Sequence, residues 1–439
     1  MELQSPWTNS EKKAPAIFGF TLDSRRPRSS RRAAWLVPDR VRTPAPHQAI
    51  TPDTRMSKRR GQEHEHQHRY HRDGAGKRSR REKHLYLVLD DWKKGFTIHK
   101  IDADSFDSDS DSGFDDDDTV AAAGHHLPGH LAVRLESPGP DVGMSFTSMG
   151  SKIFIVTDQR YRQTPSLIYD TETTGLAFGP RVPAELQCGF NTVIAAGGTL
   201  YAFSPPHFNK QNSYQVMSWA PSSSDDRTQY PSEEGWSWKS LPAPPPPFDR
   251  YEIITSYVVH PDRRTIFMTT SGWDSPGLQK STYSFDTKDC VWRWYAWVLP
   301  FRGQGYYDSE LDAWVGLHKD GYICSCRVAY DSGSATPIKL GLIELDWQTV
   351  EEKMFRKDRD RHLRASLTYM GRSKFCLVET VMREGANMDY YEDECVLHMT
   401  MFGLKYNHRG ELRTTNHRST RSYLVPKYKD FTAPVAFWM

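Results

Sequence analysis

No stretch of the chain approaches the roughly 18 consecutive apolar residues that a membrane-spanning helix needs, and no apolar core follows the N-terminal charges as it does in a secretory leader. Membrane insertion and secretion are both disfavoured. Cysteine is scarce: six in 439 residues (Cys188, Cys290, Cys324, Cys326, Cys376, Cys395), with no Cys-x-x-Cys and no Asn-x-Ser/Thr acceptor, is too little for a disulfide scaffold. A reducing compartment, nucleus or cytoplasm, is expected. Almost no segment keeps a 3.6-residue apolar period over ten residues, which argues against a helical protein. The Gly-x-Ser-x-Gly, His-Glu-x-x-His and Gly-x-x-x-x-Gly-Lys-Ser/Thr signatures are missing, as is a Gly-x-Gly-x-x-Gly after a strand. The expectation is a protein that is not an enzyme and that carries no cofactor.

Apolar substance for a core is there. With 37% hydrophobic and 12% aromatic residues the chain can bury a sizeable interior, so disorder does not describe the whole. The net charge of +2 hides three regions. Residues 1–83 hold 20 Lys and Arg against 9 Asp and Glu, whereas residues 84–439 hold 37 against 46. Much of that acidic excess is local: Asp102, Asp104, Asp107, Asp109, Asp111 and the run Asp115–Asp118 come with no positive charge among them. Dense like charge repels itself and offers too little apolar area to offset ordering entropy. Residues 1–55 therefore read as disordered coil, 56–83 as a disordered basic tail, and 102–130 as an acidic disordered insert in a body spanning 84–439. A change of composition at Met56-Ser-Lys-Arg-Arg makes Met56 a candidate initiator, with 1–55 outside the true start.

The body repeats itself. A short apolar run, a tight turn and a second run recur at Phe146–Val156, Thr192–Phe203, Ser256–Met268, Ala313–Ser325 and Ser366–Val378. Third strands ending aromatic-Asp follow at Ile168-Tyr-Asp and Tyr283-Ser-Phe-Asp, with Leu342–Asp346 as a further third strand, and Trp-rich fourth strands at Trp236–Lys239 and Val291–Trp294. Trp347–Leu367 reads as a strand end and a charged loop. Taking second strands near 153, 200, 266, 322 and 375 gives spacings of 47 to 66 residues, those of four-stranded propeller blades. Leu85–Leu89, Phe96–Asp102 and Leu131–Leu135 supply three strands of a sixth unit, and the orphan Val435–Met439 fits its vacant first position. The fold expected is all-β, a six-bladed β-propeller closed by the C-terminal strand, with five or seven blades as alternatives.

The residues Lys83–Trp92, Tyr169–Thr173, Trp236–Pro242, Tyr306–His318 and Pro434–Met439 resemble a large family of uncharacterised plant proteins, expanded in grasses and known only as a domain of unknown function. The resemblance covers roughly 56–439 and leaves 1–55 outside. It is also similar to a divergent kelch propeller, through Gly197-Gly198. What it implies is a fold; the family has no established activity to carry over.

Each candidate site has a bland counterpart. Asp308 and Glu310, beside Tyr306 and Tyr307, are the residue types of an acid/base pair, but turn carboxylates holding backbone N–H groups is the commoner use. Cys324 and Cys326 share a strand face and with His318 would make three metal ligands, whereas buried cysteines are usually small hydrophobes. His64, His66, His68 and His71 with Glu63 and Glu65 form a weak metal cluster or a solvated spacer. Trp236, Trp238, Trp292, Trp294 and Trp297 read as packing between blades before they read as a ligand platform.

Two basic clusters, Lys58-Arg59-Arg60 and Lys77-Arg78-x-Arg80-Arg81, have the layout an importin reads as a bipartite nuclear signal, with nucleic-acid contact or solubility as the other uses. Ser108 and Ser112 each precede an Asp by three residues, a pattern for acidophilic kinases. Long loops joining second to third strands (157–165, 204–212, 271–280, 328–338, 380–394) and fourth to first strands (241–252, 298–311) open on one face of a propeller. That face offers Arg160, Tyr161, His207, Trp273, Arg302, Tyr306, Tyr307, Tyr390 and Tyr391, types enriched at protein interfaces. The leading expectation is a non-enzymatic propeller binding a protein partner there. A propeller enzyme acting on carbohydrate or using a metal, and a nucleic-acid-associated protein held by its tail, are the alternatives.

Overall fold

The computed structural model describes residues 82–104, 106, 127, 130–137, 144–157, 165–181, 192–204, 213–220, 235–240, 252–272, 281–328, 345–356, 361–383, 394–426 and 434–439. All of these belong to one compact unit, Arg78–Met439. Among them there is no α-helix. The strands are β1 (Leu85–Trp92), β2 (Gly95–Ile101), β3 (His130–Glu136), β4 (Met144–Met149), β5 (Lys152–Thr157), β6 (Pro165–Asp170), β7 (Gly175–Arg181), β8 (Thr192–Ala196), β9 (Thr199–Ser204), β10 (Ser213–Ala220), β11 (Gly235–Ser240) and β12 (Glu252–Val259). They continue with β13 (Thr265–Gly272), β14 (Ser281–Asp286), β15 (Val291–Tyr295), β16 (Arg302–Asp308), β17 (Ala313–Leu317), β18 (Ile323–Arg327), β19 (Trp347–Thr349), β20 (His362–Gly371), β21 (Lys374–Met382), β22 (Glu394–Tyr406), β23 (Leu412–Pro426) and β24 (Val435–Trp438).

Consecutive strands form four-stranded antiparallel sheets: β4–β7, β8–β11, β12–β15, β16–β19 and β20–β23, while the first three strands are joined by the last in the order β24-β1-β2-β3. Leu85 to Val88 pair antiparallel with Trp438 back to Val435, and His84 and Met439 exchange both backbone bonds at 2.8 and 3.0 Å. The first strands β12 and β16 also touch in parallel, Ser256 opposite Gly303, which links two sheets into one of eight strands.

Why β1 is an unbroken apolar run follows from this arrangement. Leu85, Leu87 and Leu89 pack with Cys376, Leu397 and Val425 of the β20–β23 sheet, while Tyr86 and Val88 on the opposite face pack with Ile153 and Tyr169 of β4–β7. A strand buried on both faces needs no polar alternation. The same sharing continues: β4–β7 with β8–β11, β8–β11 with β12–β15, β12–β15 with β16–β19, and β16–β19 with β20–β23. The all-β arrangement is propeller-like.

One turn recurs where strands end in aromatic-Asp. Asp170 accepts the N–H of Glu172 (3.0 Å), Asp286 those of Lys288 and Asp289 (2.9 and 3.2 Å), and Asp308 those of Glu310 and Leu311 (2.8 and 2.9 Å). Four residues on, Thr174, Cys290 and Asp312 take φ of 55°, 55° and 47°, the left-handed conformation that turns the chain into the next strand.

In one sheet the assignment of strands differs from the sequence expectation. The hairpin Ala313–Ser325 is not a first and second strand: β17 and β18 are the second and third, and the first is β16, inside the segment 298–311 expected from sequence to be a loop. The connection after β18 consequently joins third to fourth strands and leaves from the end opposite the long-loop face. Gly303 and Gly305, with a register shift between Arg302 and Tyr306, gave β16 the texture of a turn. Gly305 is required where it stands, since a Cβ there would sit 2.3 Å from the Phe301 ring.

The start of the segment read as an acidic insert is anchored. Phe106 is fully buried, its carbonyl accepts Ser419 Oγ at 2.9 Å, and Arg421 lies 4.7 Å over its ring.

Candidate functional site

The first strands β12 and β16 run parallel, and Ser373, in the turn after β20, reaches Asp308 at the end of β16 at 3.0 Å. Their starts therefore share one end of the molecule, the end from which the long loops leave. At that end the connection from β15 to β16 is pinned by its own side chains. Trp297 stacks on Phe267 (5.8 Å, 29°), Leu299 and Phe301 enter the core between two sheets, and Leu299 N donates to Thr269 Oγ1 at 3.0 Å. Val298, held between these anchors, is 37% exposed, as is Ile253 near the start of β12. Arg302, at the start of β16, is exposed as well.

Of the nine face residues expected from sequence, Arg302, Tyr306 and Tyr307 fall among the described residues, all on β16 and not in a loop. Arg160, Tyr161, His207, Trp273, Tyr390 and Tyr391 lie outside them. So do the basic clusters Lys58, Arg59, Arg60, Lys77, Arg78, Arg80 and Arg81, the histidine cluster, and Ser108 and Ser112. Both tyrosines are spent on structure: Tyr306 OH donates to Leu367 O (3.0 Å), and Tyr307 OH donates to Asp312 Oδ1 (2.9 Å) across the exposed turn of its own hairpin. Burial first, and Tyr257 second, push the Tyr306 phenol well above the ordinary tyrosine range. Burial takes Tyr257, whose hydroxyl donates to Gln304 Oε1 at 3.2 Å, up to about 12.

The other chemistry-bearing groups resolve one by one. Asp308 is fully buried and holds the turn described above, with Ser373 Oγ donating to the same oxygen; Ser373 also reaches Glu310 at 3.2 Å. Cys324 and Cys326 are buried, burial pushes the Cys326 thiol up to about 12 and raises Cys324 likewise, and Cys324 Sγ donates to Gly316 O at 3.4 Å. His318 is engaged elsewhere, with its Nδ1 accepting the Asp320 N–H at 3.3 Å and its ring stacked on Trp347.

Among the described residues the acidic, His and Cys side chains that approach one another as three are Glu82, Asp102 and Asp104, all exposed. Sequence gave no warning of Asp91, Thr97 and His99. Thr97 donates to Asp91 Oδ1, while His99 Nε2 meets both Thr97 Oγ1 (2.9 Å) and Asp91 Oδ2 (3.0 Å). A relay needs base and orienter on different ring nitrogens; here both share one, so the cluster ties β1 to β2. At the long-loop end buried Glu379 accepts His362 Nδ1 (3.0 Å) and Arg356 N (3.2 Å) and clamps β20 to β21.

An all-β, propeller-like protein is the class this geometry defines. The chain belongs to the family described as "Protein of unknown function (DUF1668)", whose profile matches residues 82–423. No curated protein matches it. Among solved structures it is similar to TolB from Acinetobacter baumannii, 10% identical over 81% of this chain and 66% of that one, with a TM-score of 0.38. It is also similar to the periplasmic gluconolactonase PpgL of Pseudomonas aeruginosa, 9% identical over 78% of this chain and 99% of that one (TM-score 0.36). A third similarity is to an endo-1,4-β-xylanase from Bacteroides thetaiotaomicron, 10% identical over 64% and 96% (TM-score 0.31).

Proposed function

We propose that this chain is a six-bladed propeller, its ring completed by β24, that works without catalysis as a protein-binding scaffold through its long-loop face. The ring reading is supported by six shared cores, the last of which joins β20–β23 to the sheet that begins and ends the body. The binding reading is carried by Ile253, Val298 and Arg302, apolar and cationic side chains left outward beside buried anchors, which is the composition of an interface centre and its rim. The protein works in the nucleus or cytoplasm, with Lys58–Arg60 and Lys77–Arg81 as the address an importin reads.

The test is proximity labelling in cells with the full chain, with an Ile253→Asp, Val298→Asp, Arg302→Glu triple variant and with a Lys288→Glu control, whose exposed turn lies at the other end. The triple variant loses a set of labelled proteins that the control retains. Identical sets in all three proteins overturn the reading.

A further inference from the structure

The last hairpin of the body reaches beyond its own sheet. β21 begins opposite Gly403, so Leu404–Tyr406 and the residues pairing with them extend past it. This overhang is tied to the flank of the β16–β19 sheet. Tyr406 OH meets Ser325 Oγ at 3.1 Å, Gln348 Nε2 donates to Gly410 O at 3.1 Å, and Gln348 Oε1 accepts Leu412 N at 2.9 Å. Arg413 pairs with Glu351 beyond it. Beneath lies a half-open pocket of about 570 Å³, its Arg327 and Asp346 side chains largely in solvent. Its walls come from the β16–β17 turn, the end of β18, the start of β19 and the hairpin tip, all at the end opposite the long-loop face.

The lining narrows the ligand. Trp347 is 46% exposed, with its ring held by a near-parallel stack on His318 (5.7 Å, 16°). Among the described lining residues, Asp312 and Asp346 face one cation, Arg327, which Asp346 meets at 3.2 Å. That balance repels phosphate and other anions, and the guanidinium works against a bare cation. A hydroxyl both donates and accepts, so it can satisfy a carboxylate and an Arg or Gln side chain at once, while polarised C–H groups lie on the face of an indole. We propose that this cavity binds a neutral, polyhydroxylated ligand, a mono- or disaccharide. The site is separate from the partner face proposed above, and neither depends on the other.

Titration calorimetry and saturation-transfer NMR on the full chain, with glucose, galactose, cellobiose and maltose as probes and glucose 6-phosphate as the charged comparison, test this. At least one neutral sugar binds, with transfer from aromatic to sugar C–H protons. Trp347→Ala weakens that binding by roughly tenfold or more, and Arg327→Met, an 83% exposed side chain, weakens it without moving the melting temperature. The proposal falls if none of the four sugars binds, if Trp347→Ala binds as the parent does, or if glucose 6-phosphate binds more tightly than glucose.

Discussion

Asp286 shows what a single carboxylate does in these sheets. It is 5% exposed, accepts two backbone N–H groups and lies 3.4 Å from Arg264. Asp286→Ala strands those donors and is expected to cost about 1–3 kcal/mol, read as a lowered urea midpoint; an unchanged midpoint would show that the turn holds itself.

Asp170 and Asp262 add a pH dependence. Burial by itself raises both carboxyls, but the Lys152 ammonium at 2.7 Å and the Glu172 N–H outweigh it at Asp170, and the hydroxyl and N–H of Thr265 with the Arg264 N–H outweigh it at Asp262. Both carboxyls end below the ordinary aspartate value of 3.8. A depressed folded pKa contributes stability that is present above the unfolded value and lost as the pH falls through the folded one. The urea midpoint therefore drops as the pH is lowered from 3.8 downward, and Asp170→Asn, which has no proton to take up there, loses less across the same window. Equal losses in both proteins would place the acid sensitivity elsewhere.

Among the elements, most sheets were legible because their inner strands carry short apolar runs and their hairpins close on tight Gly or Asp turns. The first two strands of four sheets are where the repeats put them. The β16–β19 sheet was misread for a local reason. His318 accepts the N–H of Asp320 as His260 accepts that of Asp262, each at 3.3 Å, so the two hairpins look alike although one joins first to second strands and the other second to third. A turn fixes how a chain reverses and says nothing of its distance from the axis. The signal that would have found β16 was present: Tyr307-Asp308 followed by four turn residues repeats Tyr169-Asp170 and Phe285-Asp286. The exposure of Val298 was not legible, because it depends on which neighbours in a loop find a core.

In the ring proposed above, β24 is the closing element, and its loss would leave a row of sheets. Ala436 and Phe437 are buried, Thr368 Oγ1 donates to Ala436 O at 2.9 Å, and four residues pair with β1. Deleting 435–439 removes burial of about 1.5–3 kcal/mol for each large apolar side chain and opens the edge of β1. The truncated protein loses its cooperative melt or aggregates, and an unchanged melting temperature removes the ring.

At the scale of the whole molecule the charge is divided by region, with 20 basic against 9 acidic residues in 1–83 and the reverse bias, 37 against 46, in the body. The described body gains its stability from cores shared between sheets, and we propose that Lys58–Arg60 and Lys77–Arg81 serve as an address and add nothing to folding. Importins read such clusters through acidic and aromatic pockets, and the sixteen residues between Arg60 and Lys77 set the spacing a two-pocket reader needs. Replacing Lys58, Arg59, Arg60, Lys77, Arg78, Arg80 and Arg81 by Ser leaves the melting temperature in place and moves a fluorescent fusion from nucleus to cytoplasm. A fusion distributed identically before and after removes the nuclear address. Binding to RNA or DNA that weakens steeply with salt and disappears in the same variant would then assign the clusters to phosphate contact, because release of counterions from a nucleic acid scales with the cations that replace them.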